Sequence, residues 1–191
     1  MKYDIVFAGV GGQGVLSMAA VIGRAAAAEG LAVKESEVHG MAQRGGAVSA
    51  HLRFTDGTIA SDLIPRGSAD MVLSLEPVEA LRSLDYLSKR GTLVSSSNAF
   101  VNIPDYPDEA DMLKRVRAAA PRAVLVDAEG LAREAGDVLA SNLVMVGAAS
   151  RLLPLKVESL EAALAATFRG KGEKVVATNL AAFRAGREAA A

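Results

Sequence analysis

The chain opens with a short apolar run that ends in a glycine-rich turn and leads directly into an alanine-rich segment. Tyr3–Ala8 is predicted to be a buried strand, and Val15–Glu29 a helix that stops at Gly30. Between them lies a G-x-G-x-x-G pattern, Gly9-Val10-Gly11-Gly12-Gln13-Gly14. Glycines at this point of an α/β unit allow a tight turn, a close ligand approach and close packing of helix on strand. The opening therefore predicts an α/β fold.

The segments that follow continue the alternation of strands and helices. Leu31–Glu37 is expected to complete a first βαβ unit, and residues 48–54 alternate apolar and polar side chains like a half-exposed strand. Thr55-Asp56-Gly57 then predicts a hairpin into Thr58–Ser61. Further strands are predicted at Asp70–Leu75, Thr92–Ser96 and Ala123–Asp127, and further helices at Pro77–Lys89, Asp108–Ala120, Asn142–Leu153, Leu160–Phe168 and Val175–Arg187. The last helix is expected to pack as a lid on the sheet.

These elements predict one domain over residues 1–191, because a chain of this length can bury a full core. We expect a Rossmann-like, mostly parallel sheet flanked by helices, with one β-hairpin insertion and a helical C-terminal part. The net charge of −1 gives no electrostatic signature for nucleic acid or for an anionic membrane. No signal peptide is recognisable, and no apolar run approaches the roughly 18 residues that span a bilayer. The prediction is a cytoplasmic protein.

The sequence contains no cysteine and only two histidines, His39 and His51. The chain therefore has no thiolate ligands for an iron–sulfur cluster and no thiol nucleophile. Neither histidine stands in a metal-ligand spacing with another good ligand. We predict no metal site and no catalytic residue in this chain. His51 lies on the polar side of its strand, where a surface or interface role is expected.

A second polar loop, His39-Gly40-Met41-Ala42-Gln43-Arg44-Gly45-Gly46, follows the second predicted strand. Loops after parallel strands emerge at the carboxyl edge of the sheet, where open α/β folds bind ligands. Arg44 could clamp a phosphate or carboxylate, and His39 could donate to an anion or make a structural hydrogen bond. The loop could also be only an elaborate turn. The predicted contact residues for a ligand or partner are Gly11, Gly12, Gln13, Gly14, His39, Gln43 and Arg44.

Two other features of this edge have alternative interpretations. The glycine pattern, with Glu35 or Glu37 as the acid about 20 residues on, is compatible with a dinucleotide site. The polar loop after the second strand argues against it, because that loop is expected to occupy the space of the ribose. Glu76 and Glu79 are expected to favour the amino end of a helix, although Glu76 could also line the cleft.

The residues Asp4–Val15 and Glu37–Gly46 closely resemble the gamma subunit, or gamma domain, of 2-oxoacid:ferredoxin oxidoreductases. The second of these motifs is similar to the small (beta) subunit of the indolepyruvate branch. Ala69–Arg82 is similar to the family's next signature, and the resemblance extends over about residues 3–185. It implies an accessory subunit of a complex that decarboxylates indolepyruvate and other arylpyruvates oxidatively to aryl-acetyl-CoA. A gamma subunit for 2-oxoglutarate or pyruvate, or a stand-alone dinucleotide-binding oxidoreductase, are the alternatives.

The resemblance also implies a hetero-oligomer. Thiamine diphosphate, Mg²⁺ and the iron–sulfur clusters are then expected in a large alpha subunit, with coenzyme A as co-substrate and ferredoxin as the acceptor that the complex reduces. The family's gamma domain has no defined catalytic residue to transfer to this chain. On this interpretation the chain binds no cofactor alone, and the isolated chain is inactive.

Overall fold

The structure, a computed structural model, describes residues 1–39, 45–101 and 105–190, with the backbone alone of residue 39. Within these residues six strands form one sheet, and seven α-helices pack on its two faces. The strands are β1 (Lys2–Val10), β2 (Ala32–His39), β3 (Ala47–Thr55), β4 (Ala69–Ser74), β5 (Leu87–Ser96) and β6 (Val124–Val126). The helices are α1 (Val15–Ala28), α2 (Pro77–Arg82), α3 (Glu109–Ala119), α4 (Ala128–Ala135), α5 (Ser141–Ala149), α6 (Val157–Phe168) and α7 (Glu173–Ala189).

The strand order is β2-β3-β1-β4-β5-β6, which confirms the predicted α/β class and corrects its first unit. The pairs β1–β4, β4–β5 and β5–β6 are parallel, whereas β3 is antiparallel to both β1 and β2. The predicted βαβ unit of β1, α1 and β2 is therefore wrong, because β3 lies between the two strands. Since both strands are antiparallel to β3, β1 and β2 still run in the same direction. Their carboxyl ends reach the same edge of the sheet.

The hairpin predicted at Asp56-Gly57 is also wrong, since the antiparallel hairpin of this fold is β2–β3. The segment after β3 makes no strand and is held by the Arg53 side chain instead. Arg53 donates to the carbonyls of Ser61 and Leu63 at 3.0 and 2.9 Å. Its other nitrogens bind the fully buried Asp4 carboxylate at 2.9 Å. These side-chain bonds replace the ladder that a hairpin would have made.

The same segment covers the polar side of β3, so the expected surface role of His51 is wrong. His51 is 5% exposed, and its Nδ1 accepts a hydrogen bond of 3.0 Å from the Ile64 amide. The ring meets Tyr86 edge-on, with centroids 5.1 Å apart. Burial lowers the pKa of His51, as does the positive charge of Arg53, whereas Asp62 raises it. A neutral histidine therefore fastens this segment to the sheet.

The helices form a larger layer on one face of the sheet and a smaller one on the other. The larger core joins α1, α5 and α7 to Phe7, Leu52 and Phe54. The smaller core joins Val6 and Val72 to α2, α3 and Ile64. α7 packs mainly on α5 rather than directly on the sheet, which corrects its predicted place. No helix in the described ranges is long and apolar enough to cross a membrane.

One predicted helix is much shorter in the structure, and one helix was not predicted. The helix predicted over Pro77–Lys89 ends at Arg82, because Leu87 already pairs with Ala69 as the first residue of β5. A single 3₁₀ turn, Leu84–Tyr86, joins the two elements. The short helix α4 was missed, although Asp127 caps its amino end by accepting from the Gly130 amide at 2.9 Å. An aspartate before a helical run is a common start signal.

Candidate functional site

The glycine turn after β1 forms the centre of the predicted site. The Gln13 amide donates to the Val10 carbonyl at 3.0 Å, which closes a tight turn. Gly12 and Gly14 have φ angles of 107° and 87°, a conformation that other residues rarely adopt. Gly12 is exposed, and nothing lies within 4 Å of the place where its Cβ would be. The turn therefore exposes backbone atoms that no side chain covers.

The Gln13 side chain bridges the carboxyl ends of β1 and β4. Its Oε1 accepts from the Val10 amide at 2.8 Å, and its Nε2 donates to the Leu75 carbonyl at 3.3 Å. A Cβ on Gly9 would lie 3.0 Å from Gln13 Oε1 and 2.8 Å from Val15 Cγ2. Chain connections leave β1 and β4 in opposite directions across the sheet, so the crevice between them is where such folds bind dinucleotides. In this chain the hydrogen-bonded Gln13 side chain lies at that point.

The amino end of α1 carries no capping side chain and no acidic residue in its first turn. The amides of Gly12, Gly14, Val15 and Leu16 have no acceptor among the described residues. Backbone N–H groups at a helix start attract anions, both as donors and through the helix dipole. This end of α1 can therefore receive a phosphate or carboxylate.

Asn142, at the start of α5, packs against the same turn. Its Nδ2 donates to the Gly14 carbonyl at 3.3 Å, and a Cβ on Gly14 would lie 2.6 Å from that nitrogen. Asn142 is 5% exposed, and its Oδ1 is buried without a partner in the described part of the chain. Sequence reasoning missed this residue, because it lies 128 positions from Gly14. Gly14 is thus needed both for its φ angle and for the space that Asn142 fills.

The second loop reaches the glycine turn through its backbone. The Gly11 amide donates to the Gly46 carbonyl at 2.8 Å, and the Gly45 amide donates to the Gly11 carbonyl at 3.2 Å. Gln43 and Arg44 lie outside the described residues, as does the side chain of His39. The structure thus brings the end of the loop to Gly11, and the roles predicted for these three side chains stay predictions.

Farther along the carboxyl edge of the sheet, the Glu76 side chain has a structural role. It is 1% exposed, and its Oε2 accepts from the Glu79 amide at 2.8 Å, which caps α2. Its Oε1 accepts from the Tyr106 hydroxyl, and burial together with this bond raises the pKa of Tyr106. Burial raises the pKa of Glu79, against the opposing effect of Arg82. The helix-end interpretation of Glu76 is confirmed.

A second polar network lies at the ends of β5 and β6. Asn98 Nδ2 donates to Asp127 Oδ1 at 2.8 Å, and Asn98 Oδ1 accepts from the Ser96 hydroxyl and the Glu129 amide at 2.9 Å. The hydrogen bonds from Asn98 and Gly130 hold the pKa of Asp127 below its usual range. The Asn98 amide and Asp127 Oδ1 are both hydrogen-bonded within this network, so this part of the edge has a supporting role. No group of three His, Asp or Glu side chains in the described ranges could hold a metal ion.

Comparison with known proteins places these features in a family. A sequence profile of the family "Pyruvate ferredoxin/flavodoxin oxidoreductase" matches residues 4–189. The indolepyruvate oxidoreductase subunit IorB of Archaeoglobus fulgidus is 38% identical over 97% of this chain and 94% of its own length. The 2-oxoglutarate synthase subunit KorC of Methanothermobacter marburgensis is 30% identical over 98% of this chain and 96% of its own length.

Two solved structures share the fold. The gamma subunit of a keto/oxoacid ferredoxin oxidoreductase from Geobacter sulfurreducens superposes with a TM-score of 0.73, covering 98% of both chains. The 2-oxoglutarate:ferredoxin oxidoreductase of Magnetococcus marinus, solved with 2-oxoglutarate, coenzyme A and succinyl-CoA bound, gives 0.77 over 99% of this chain and 31% of that one. Each is 23% identical to this chain, so the likeness concerns the fold.

Proposed function

The chain belongs to the pyruvate ferredoxin/flavodoxin oxidoreductase family, and from that premise we propose that it is the accessory small subunit of an arylpyruvate:ferredoxin oxidoreductase. In the proposed reaction indolepyruvate loses CO₂, its acyl group passes to coenzyme A, and two electrons pass to ferredoxin. The observation that carries this proposal is the higher identity to the IorB subunit than to the KorC subunit, 38% against 30%, over nearly full lengths.

The proposal divides the chemistry between subunits. Cluster ligation needs thiolates that this chain does not contain, so iron–sulfur clusters belong to another subunit. Thiamine diphosphate and Mg²⁺ are assigned with them to a large alpha subunit, in a cytoplasmic hetero-oligomer. This chain would supply the glycine turn and the loop beside it as a contact surface for that subunit or for coenzyme A.

The bare amides at the start of α1 support a contact with a phosphate of coenzyme A. Four N–H groups without described acceptors surround an exposed glycine, and no carboxylate lies in the first helical turn to repel an anion. His39, Gln43 and Arg44 are proposed to complete this contact, since the end of their loop is bonded to Gly11.

Reconstitution tests the substrate and the division of labour together. The chain is co-expressed with the cysteine-rich, thiamine-binding subunit that a neighbouring gene is expected to encode. Reduction of a dye acceptor is then measured with indolepyruvate, 2-oxoglutarate and pyruvate. We expect the highest kcat/KM with indolepyruvate, and a colourless, inactive chain when it is purified alone. Preference for 2-oxoglutarate or pyruvate would move the assignment to another branch. Activity of the lone chain would refute the accessory role.

Arg44→Ala tests the second loop. Loss of one charge-assisted contact weakens binding by about 1.5–3 kcal/mol, roughly tenfold to a hundredfold. We expect this loss in the KM for coenzyme A or in subunit assembly, with the melting temperature nearly unchanged. Arg24→Ala, on the exposed face of α1, is the matched control. A large fall in melting temperature with normal assembly and kinetics would mean that the loop is only a structural turn.

A further inference from the structure

The strand β2 lies at one end of the sheet, and its outer edge is open. In the strand order β2 pairs with β3 alone, so the backbone groups on its other side have no described strand beside them. It is a long edge strand of eight residues, and the side chains of Lys34, Glu35, Glu37 and Val38 are exposed. An open edge of this kind is a template on which another strand can pair. A second copy of this chain offers the same edge, and β2 against β2 would continue the sheet across a twofold axis.

Symmetric pairing of two β2 strands allows only some registers. A twofold axis normal to the sheet makes the two strands antiparallel, and side chains that face each other must lie on the same side of the sheet. Because side chains alternate between the two sides along a strand, each allowed register is centred on a residue that faces its own copy. The registers that pair most of the strand are centred on its two middle residues, Glu35 and Ser36.

These registers set like charges opposite each other. In the register centred on Glu35, this carboxylate faces Glu35 of the second copy. In the register centred on Ser36, Glu35 of each copy faces Glu37 of the other. A shift by one further residue in either direction sets Lys34 against Lys34, or Glu37 against Glu37. Directly opposite side chains have Cβ atoms about 4.5–5.5 Å apart, and like charges at that distance destabilise the pairing.

The two carboxylates are not neutralised within the described ranges. Their cross-strand neighbours on β3 are Leu52 for Glu35 and Ala50 for Glu37. None of the described basic side chains forms an ion pair with either carboxylate. Partial burial raises the pKa of the Glu35 carboxyl, as does the negative charge of Glu37. Glu35 and Glu37 thus form an uncompensated pair of negative charges on one side of β2.

We propose that Glu35 and Glu37 keep the open edge of β2 from pairing with β2 of a second copy. The rest of the strand is suited to pairing, since it carries the β-branched residues Val33 and Val38, and Val38 is 57% exposed. The two carboxylates are therefore what prevents the free chain from extending its sheet. This inference concerns the chain alone and does not depend on the substrate of the complex.

Charge reversal tests the facing pairs directly. Glu35→Lys alone turns both facing pairs of the register centred on Ser36 into Lys–Glu pairs, and Glu37→Lys alone does the same. The double variant, Glu35→Lys with Glu37→Lys, sets like charges opposite each other again, now both positive. Glu134→Lys, at an exposed position of α4, is the matched control for a single reversal. Each variant chain is purified alone, and its mass is measured by light scattering and sedimentation over a range of concentrations at low ionic strength.

We expect each single variant to form dimers, with a dissociation constant at least about tenfold lower than that of the wild-type chain. The wild type, the control and the double variant should stay monomeric at the same concentrations. Glu35→Gln with Glu37→Gln, which removes the charges without reversing them, should also dimerise and serves if a lysine variant does not fold. Hydrogen exchange should show new protection of β2 amides in each dimer.

Three results would overturn the proposal. The first is that folded single variants and the Gln variant remain as monomeric as the wild type. The second is that the double variant associates as strongly as the single variants, since the facing charges would then not matter. The third is that the new protection in the dimers lies outside β2.

Discussion

The crossing of α5 and α7 allows a sharp test of the helical layer. A Cβ on Gly147 would lie 1.9 Å from the Phe183 carbonyl oxygen and 3.0 Å from the Arg187 amide. A Cβ on Gly186 would lie 1.9 Å from the Val144 carbonyl oxygen. The two helices therefore touch through their backbones, and each glycine leaves the room that the other helix fills.

Gly147→Ala should destabilise the protein although alanine is the better helix former. An ordinary contact between carbon and a carbonyl oxygen is about 3.3–3.6 Å, so one helix must move by roughly 1.5 Å. Overpacking of this kind costs about 1–3 kcal/mol or more, while alanine returns about 0.8–1.0 kcal/mol of helix propensity. We expect a net loss of about 2 kcal/mol, because the clash is with backbone and cannot be relieved by a rotamer change.

The loss corresponds to a fall of about 4–8 °C in melting temperature for a chain of this length. Thermal unfolding followed by circular dichroism, with urea unfolding at 25 °C, measures it. Gly170→Ala is the matched control, since nothing lies within 4 Å of its Cβ position and its φ angle is not positive. An unchanged or raised melting temperature for Gly147→Ala would refute the backbone contact between α5 and α7.

Three further predictions concern the sheet and its carboxyl edge. Arg53→Met should cost about 1–3 kcal/mol in urea unfolding, because the buried Asp4 carboxylate loses its bidentate partner and keeps only the exposed Lys2 at 2.9 Å, and adding Asp4→Asn should restore part of it. Because burial lowers the pKa of His51, the free energy of unfolding should be greatest above about pH 6.5 and should fall as the pH drops below it. His51→Asn, which keeps a hydrogen-bond acceptor for the Ile64 amide, should flatten this profile between about pH 7.5 and 5.5. Calorimetry should show no micromolar binding of NAD or FAD, since the Gln13 side chain is hydrogen-bonded across the carboxyl ends of β1 and β4, where a dinucleotide would bind. Stoichiometric binding of either dinucleotide would contradict this prediction.

The sequence allowed the fold class and most elements to be predicted, because strand and helix periodicity are local. The strand order could not be predicted in the same way. β3 reads as a half-exposed strand, since Ser49, His51 and Arg53 alternate with apolar residues. In the structure it is an interior strand, because it pairs with both β1 and β2. Its polar side is covered by residues 57–65, which return across it and form hydrogen bonds with His51 and Arg53. Such side-chain bonds to a distant backbone leave no periodic signal.

In the candidate site, too, the sequence predicted the local features but not those that depend on distant contacts. The glycines of the turn could be identified from their spacing, and the end of the second loop lies beside them as expected. The position of the Gln13 side chain depends on a hydrogen bond to the Leu75 carbonyl, which is 62 residues away. Asn142 comes to Gly14 only through the packing of α5 on α1. The positions of these two side chains thus depend on contacts between segments that are distant in the sequence, which a local sequence pattern does not predict.

The place of β3 between β1 and β2 has a consequence for how the chain folds. β1 and α1 are made first, but β2 has no partner in the sheet until β3 exists, since its described ladder is with β3 alone. The β2–β3 hairpin is local in sequence, so its closure costs little entropy, whereas β3 reaches β1 across some 45 residues. We expect the hairpin to form as a unit and then to dock on β1 as one body. Substitutions in the β2–β3 ladder should therefore slow folding, while those in the β1–β3 ladder should mainly speed unfolding.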